Sequence, residues 1–99
     1  MLSKTYTYFT DPSHGWLRVT RKEPVTLGID KDITPYSYAR GAWVYLEEDC
    51  DMATFMRAKG WLQDNGRAIE GFWDSGVIKN KNCLTRQSTI RSYDRYFIE

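Results

Sequence analysis

Histidine occurs once in these 99 residues, at His14, and cysteine twice, at Cys50 and Cys83. A single histidine leaves room for only one Cys/His pairing. There is no CxxC, HExxH or HxxE spacing and no calcium loop of alternating acids around a glycine, so the usual zinc and calcium architectures are not expected. No metal and no cofactor is expected on these grounds. A phosphate-cradling loop is also missing, because Gly71-Phe72-Trp73-Asp74-Ser75-Gly76 has neither the lysine nor the spacing. No apolar run approaches the roughly 20 residues of a membrane-spanning helix. The opening Met1-Leu2-Ser3-Lys4-Thr5-Tyr6 contains no apolar stretch of signal-peptide length, which points to the cytoplasm. There is no basic excess: 14 Lys and Arg face 13 Asp and Glu, for a net charge of +1. That argues against a dedicated non-specific nucleic-acid binder. Repeats, linkers and low-complexity tracts are absent.

Aromatic side chains are plentiful, at 15% with four Trp, seven Tyr and four Phe, and they offset a mean hydropathy of −0.60. Each buried ring removes about 150–250 Å² from water, so one small core is within reach and disorder is not expected. Residues 1–99 are therefore read as a single domain. The near-neutral total hides a segregation. Glu47, Glu48, Asp49 and Asp51 form an acidic block with no base between Gly41 and Met56. Lys79, Lys81, Arg86, Arg91 and Arg95 form a basic one, interrupted only by Asp94. Such blocks either pair with each other or face separate partners.

The β-branched and aromatic run Thr5–Thr10 predicts a strand. The turn chemistry of Asp11-Pro12-Ser13-His14-Gly15 then leads into a second strand, Trp16–Thr20, completing a hairpin. Arg21–Ile29 suits a short helical turn with Pro24 near its start and Gly28 at its end. Ile33–Tyr38 should be extended, since Pro35 disfavours helix at Thr34. Ala42–Leu46 is the strongest strand signal in the chain. Asp51 is a candidate N-cap for the main helix. Met52, Phe55, Met56 and Leu62 carry the amphipathic spacing of that helix to about Asn65, where Asn65-Gly66 provides a stop. Gly60 weakens it by roughly 1 kcal/mol. Arg67–Trp73 reads as another strand, Asp74–Asn82 as loop, and Thr85–Ile98 as a further short strand or tail. The expected fold is α+β: an antiparallel sheet of four or five strands packed against one main helix, about Asp51–Asn65.

Three regions compete as sites. The acidic block chiefly suits the N-terminus of the following helix, where each anion contributes about 0.3–1 kcal/mol; Glu47, Glu48 and Asp49 also suit a protein-contact surface. The segment Arg91-Ser92-Tyr93-Asp94-Arg95-Tyr96-Phe97 interleaves cations with rings. It reads as core packing, as a protein interface anchored by Arg91, Tyr93, Arg95 and Tyr96, or, with Lys79, Lys81 and Arg86, as a grip on single-stranded nucleic acid. His14 with Cys50 or Cys83 would form a catalytic pair only if the fold brought them and the acids into one pocket; both thiols are expected reduced and buried. Rings such as Tyr36, Tyr38, Trp43, Trp61 and Trp73 exceed what a core this size holds. Those left outside would mark a partner site or a homodimer interface.

Three stretches carry a resemblance: His14-Gly15-Trp16-Leu17, then Tyr36-Ser37-Tyr38 leading through Gly41 to Val44-Tyr45-Leu46-Glu47-Glu48-Asp49 and Asp51, and finally Ile90-Arg91-Ser92-Tyr93 with Arg95-Tyr96. This pattern resembles a group of small proteins encoded by tailed bacteriophages, over most of the chain except 57–87. The resemblance brings no catalytic residues. It implies a phage accessory product acting in the host bacterial cytoplasm on a host or phage protein, including inhibition of a host defence system.

Overall fold

The computed structural model describes residues 5–82, 90 and 93–96. Six strands form one sheet: β1 (Tyr6–Thr10), β2 (Gly15–Thr20), β3 (Tyr38–Arg40), β4 (Trp43–Glu47), β5 (Ile78–Asn82) and β6 (Asp94–Arg95). Their spatial order is β5-β1-β2-β4-β3-β6. Two helices accompany them, α1 (Lys22–Thr26) and α2 (Asp51–Ala58). The class is α+β, but the sheet is mixed rather than antiparallel throughout, because β5 runs parallel to β1. Parallel neighbours need a long crossover, and the chain between β1 and β5 contains both helices and three of the other strands.

The hairpin β1–β2 forms as its turn residues require. The Asp11 carboxylate accepts the N–H groups of Ser13 and His14, each at 2.9 Å, the local bonding that makes aspartate a turn former. The hairpin β3–β4 turns at Gly41-Ala42, with Arg40 opposite Trp43. Gly41 has φ 58°, and positive φ at the first central position is the requirement of a two-residue type II′ turn. Glu23 anchors α1 by accepting the Thr20 N–H (2.8 Å) and hydroxyl (3.0 Å), the returning half of a capping box. Its other oxygen takes the Tyr6 hydroxyl of β1.

The main helix is shorter than the hydrophobic spacing predicts, ending at Ala58 instead of about Asn65. Gly60 is a terminator rather than a weak interior point: at φ 78° its N–H reaches Arg57 O, while Trp61 N–H reaches Met56 O. These two bonds are the paired C-terminal closure of a Schellman motif. Trp61 is thereby folded back onto Tyr6, Phe55 and Phe72, with ring centroids 4.9–5.8 Å away. Arg67–Trp73 is not a strand. Only Leu62 and Ala68 bridge, and Gly71, at φ 78°, turns the chain out of the extended region before a 3₁₀ turn at Trp73–Ser75. Conversely, Ile78–Asn82, expected as loop, is an edge strand. Its formation rests on backbone pairing with β1, and its lysines suit an unpaired edge. Of the expected Thr85–Ile98 strand, Asp94–Arg95 forms β6; 85–89, 91–92 and 97–98 lie outside the described residues.

Strand alternation divides the side chains. Leu17, Val19, Ala39, Val44 and Leu46 point to one face and pack with Met52, Phe55 and Met56 of α2, closed at the margins by Tyr6, Ile33, Phe72 and Tyr96. On the other face Trp16, Tyr38 and Tyr45 form a second, smaller cluster with Ile90, flanked by Phe9 and Tyr93. Among the described residues, no helix is long and apolar enough to cross a membrane.

Candidate functional site: a cleft where three sequence segments meet

The end of the sheet where β2 begins and β4 finishes carries a cavity of about 410 Å³. Its wall is built in register: Trp16 stands opposite Glu47, and Tyr38 opposite Arg95. The β1–β2 turn adds His14, the segment before β3 adds Tyr36, and the link from β4 to α2 adds Asp49 and Cys50.

The frame is held by acids turned inward. Glu47 accepts the N–H groups of Asp49 (3.0 Å), Cys50 and Asp51 (3.1 Å), so within the acidic block it, and not the N-cap candidate Asp51, takes the free amides at the start of α2. Burial pushes the Glu47 carboxyl up, but the three backbone donors, aided by His14, outweigh it and hold it below the ordinary range. Cys50 occupies the cap position, and Asp51, the first helical residue, is fully buried. Its carboxylate accepts the Thr34 N–H (3.1 Å), the Thr34 hydroxyl (2.7 Å) and the Ser37 hydroxyl (2.6 Å). The Ser37 oxygen in turn accepts Glu47 N–H at 3.0 Å. This buried network ties the loop carrying Tyr36 to the start of α2, and a fully bonded network of this kind makes a loop rigid. Glu48 accepts the Tyr8 hydroxyl at 3.2 Å and lies 3.6 Å from His14 Nδ1. Burial, and then the Glu48 charge, push Tyr8 up to about 12.

Side chains left available at the rim are Tyr36 (71% exposed), His14 (56%), Asp49, Cys50 and Arg95. The Arg95 guanidinium lies 4.6 Å from the Tyr38 ring centroid and donates to Pro35 O at 3.4 Å. Cys50 is exposed, contrary to the expectation of a buried thiol, because the cap position of α2 projects into the cleft. Cys83 lies outside the described residues.

The expected contact residues separate into groups. Glu47, Asp49 and Arg95 line the cavity, and Glu48 stands behind it. Tyr96 is buried in the main core and is removed as an anchor: alternation sends it to the opposite face from Arg95. Tyr93 is half-buried against Tyr45, 5.2 Å between centroids. Arg91 and Arg86 lie outside the described residues. The basic block expected to act as one nucleic-acid patch does not stay together, because Lys79 and Lys81 lie on β5 and Arg95 on β6, the two edges of the sheet. Five strand spacings, about 24 Å, separate them.

The chain matches no family model, no curated protein and no solved structure. The sequence names Tyr36 and Tyr38 among the rings that mark a partner site when left outside the core, but Trp16 and Cys50 were missed as contacts. The legible signal for the rings was their density. Their meeting point depends on the pairing of β2 with β4 and of β3 with β6. His14 and Cys50 meet the convergence that a catalytic pair requires, lining the same cavity as Glu47 and Asp49. Among the described residues no group of three or more His, Cys, Asp or Glu is arranged to hold a metal ion.

Proposed function

We propose that this is a non-enzymatic bacteriophage accessory protein that binds a host or phage protein in the host cytoplasm, and that the cleft is its contact site. The single observation carrying this reading is convergence. His14 and Trp16, Tyr36 and Tyr38, Glu47 with Asp49 and Cys50, and Arg95 come from separate stretches of the sequence, yet they line one cavity. The chemistry of the rim supports recognition rather than turnover. Glu47, Glu48 and Asp51 are engaged in holding the frame, leaving Tyr36, Arg95 and Asp49 at the rim beside His14 and Cys50; tyrosine and arginine are residue types that anchor protein contacts, and charges of opposite sign orient them. A partner loop carrying both charge signs around an apolar anchor fits this rim, and blocking a host defence component is one use of such docking.

The test is affinity capture from bacterial lysate with the wild-type protein, Tyr36→Ala and Asp49→Lys side by side. A specific protein held by wild type and weakened at least tenfold by each variant supports the reading. Capture indifferent to both variants overturns it.

The presence of His14 and Cys50 on one cavity favours a second reading, a small-molecule or thiol-reactive site. Cys50→Ser separates the two: docking survives it, whereas thiol chemistry does not.

A further inference from the structure

We infer that the side of the sheet opposite α2, beyond the cleft, binds single-stranded nucleic acid through the cations and rings exposed there. Strand register places five cations on that face: Lys79 and Lys81 on β5, Arg18 on β2, Arg40 on β3 and Arg95 on β6. One strand acid, Glu47, shares it, at the cleft end, and its carboxylate is turned to backbone amides. The chain as a whole is almost neutral, so this is a segregated positive surface and not a sample of the average.

The cations are interleaved with rings. The Arg18 guanidinium lies between Trp43 and Phe9, 4.3 and 5.3 Å from their centroids. Lys81 lies 5.9 Å from Phe9, and Arg40 lies 5.0 Å from Tyr93. Trp43 is 39% exposed, and Arg40, Lys79 and Lys81 are exposed. Guanidinium planes and indole rings stack nucleobases without regard to sequence, while ammonium groups follow the phosphates. From β5 to β3 is four strand spacings, about 19 Å, long enough for a few nucleotides and close to the smallest sites on single-strand-binding sheets. A sheet face several strands wide is too broad to enter a duplex groove, which admits a helix or a two-stranded ribbon, so unstacked bases are the fitting ligand. Ile90 and Tyr93 cover Trp16, Tyr38 and Tyr45, which confines the surface to Phe9, Arg18, Arg40, Trp43, Lys79 and Lys81. These residues are separate from Tyr36, Asp49 and Cys50 of the cleft.

Fluorescence anisotropy with a dye-labelled dT12 strand, and with a duplex of the same length, tests the assignment. The single strand should bind more tightly than the duplex at low salt. Its affinity should fall with salt by about 0.7 log units per log unit for each phosphate neutralised. Trp43→Ala should weaken binding about five- to hundredfold, the range of one lost base stack. The pair Lys79→Glu and Lys81→Glu, both exposed on the edge strand, should weaken it and flatten the salt slope. Tyr36→Ala should leave it unchanged. The inference is overturned by absent binding at low salt, or by equal affinity for duplex with Trp43→Ala silent, which would leave the lysines as blunting groups on a sheet edge. Loss of binding in Tyr36→Ala would also overturn it, by moving the ligand into the cleft. Failure of the protein-docking proposal alters none of these readouts.

Discussion

The two faces of the sheet come from the same strands and differ by one residue of phase. On one side Leu17, Val19, Val44 and Leu46 are sealed by α2, with Phe55 fully buried. On the other, Arg18 and Tyr45, paired across β2 and β4, belong to a layer of cations lying on rings, which no helix among the described residues covers. The first face is held by removal of apolar area from water. The second is held by ring–ring and cation–ring contacts that tolerate water at their margins. A side chain's contribution to stability should therefore depend on its face more than on its size, and its contribution to binding should run the opposite way.

The sharpest way to break that contrast is Phe55→Ala, expected to cost about 3–5 kcal/mol through lost burial and an unfilled cavity, read from urea unfolding. A cost below that of an open-face ring would invert the comparison. Next is Asp51→Ala. It deprives Thr34 and Ser37 of their buried acceptor and should cost about 2–3 kcal/mol, while loosening Tyr36 enough to raise amide exchange in 34–37.

Gly15→Ala probes the boundary between the faces. A Cβ there would lie 2.1 Å from the Tyr8 hydroxyl and 2.5 Å from the ring carbon bearing it. The ring must swing away from Glu48, at an expected cost of about 1–3 kcal/mol, with the Tyr8 titration falling from about 12 toward its usual range. Glu47→Gln should cost about 1 kcal/mol at neutral pH, because a neutral acceptor replaces a charged one. Glu47 titrates below its ordinary 4.5 in the folded protein. Its contribution is therefore complete above that value and lost as pH falls through the lowered one. The gap between wild type and variant should close in acid, which unfolding at pH 3 and pH 7 measures. The smallest effect is expected from Trp43→Ala, at or below about 1 kcal/mol as the loss of one partly exposed stack on Arg18.

Much of the fold was legible locally. The β1–β2 hairpin follows from β-branched and aromatic residues on either side of Asp11–Gly15, and β4 from the run ending at Leu46. Gly60 was visible but misjudged, because a glycine that weakens a helix interior and a glycine that ends a helix are the same residue until its φ is known. The lysines and asparagines of β5 carry no strand signal at all, since an edge strand's partner is remote backbone. Glu47 rather than Asp51 takes the free amides at the start of α2, because helix entry is decided by which carboxylate reaches them, and a residue four positions before the helix can do so.

For the cleft, the acidic block and Arg95 stood out as charges, while Tyr96 seemed their equal and turned out to belong to the core. Composition, turn residues and alternation are short-range properties, and they determined an α+β domain rich in rings, the opening hairpin and the existence of two charge blocks. Strand order and register are long-range properties. Only they decided that Lys79 and Arg95 stand at opposite edges, that Arg18 and Arg40 lie between them, and that His14, Tyr36, Asp49, Cys50 and Arg95 share one cavity. The reason is physical: pairing is made by backbone groups nearly identical in every residue, so which strands meet is settled by packing the whole chain.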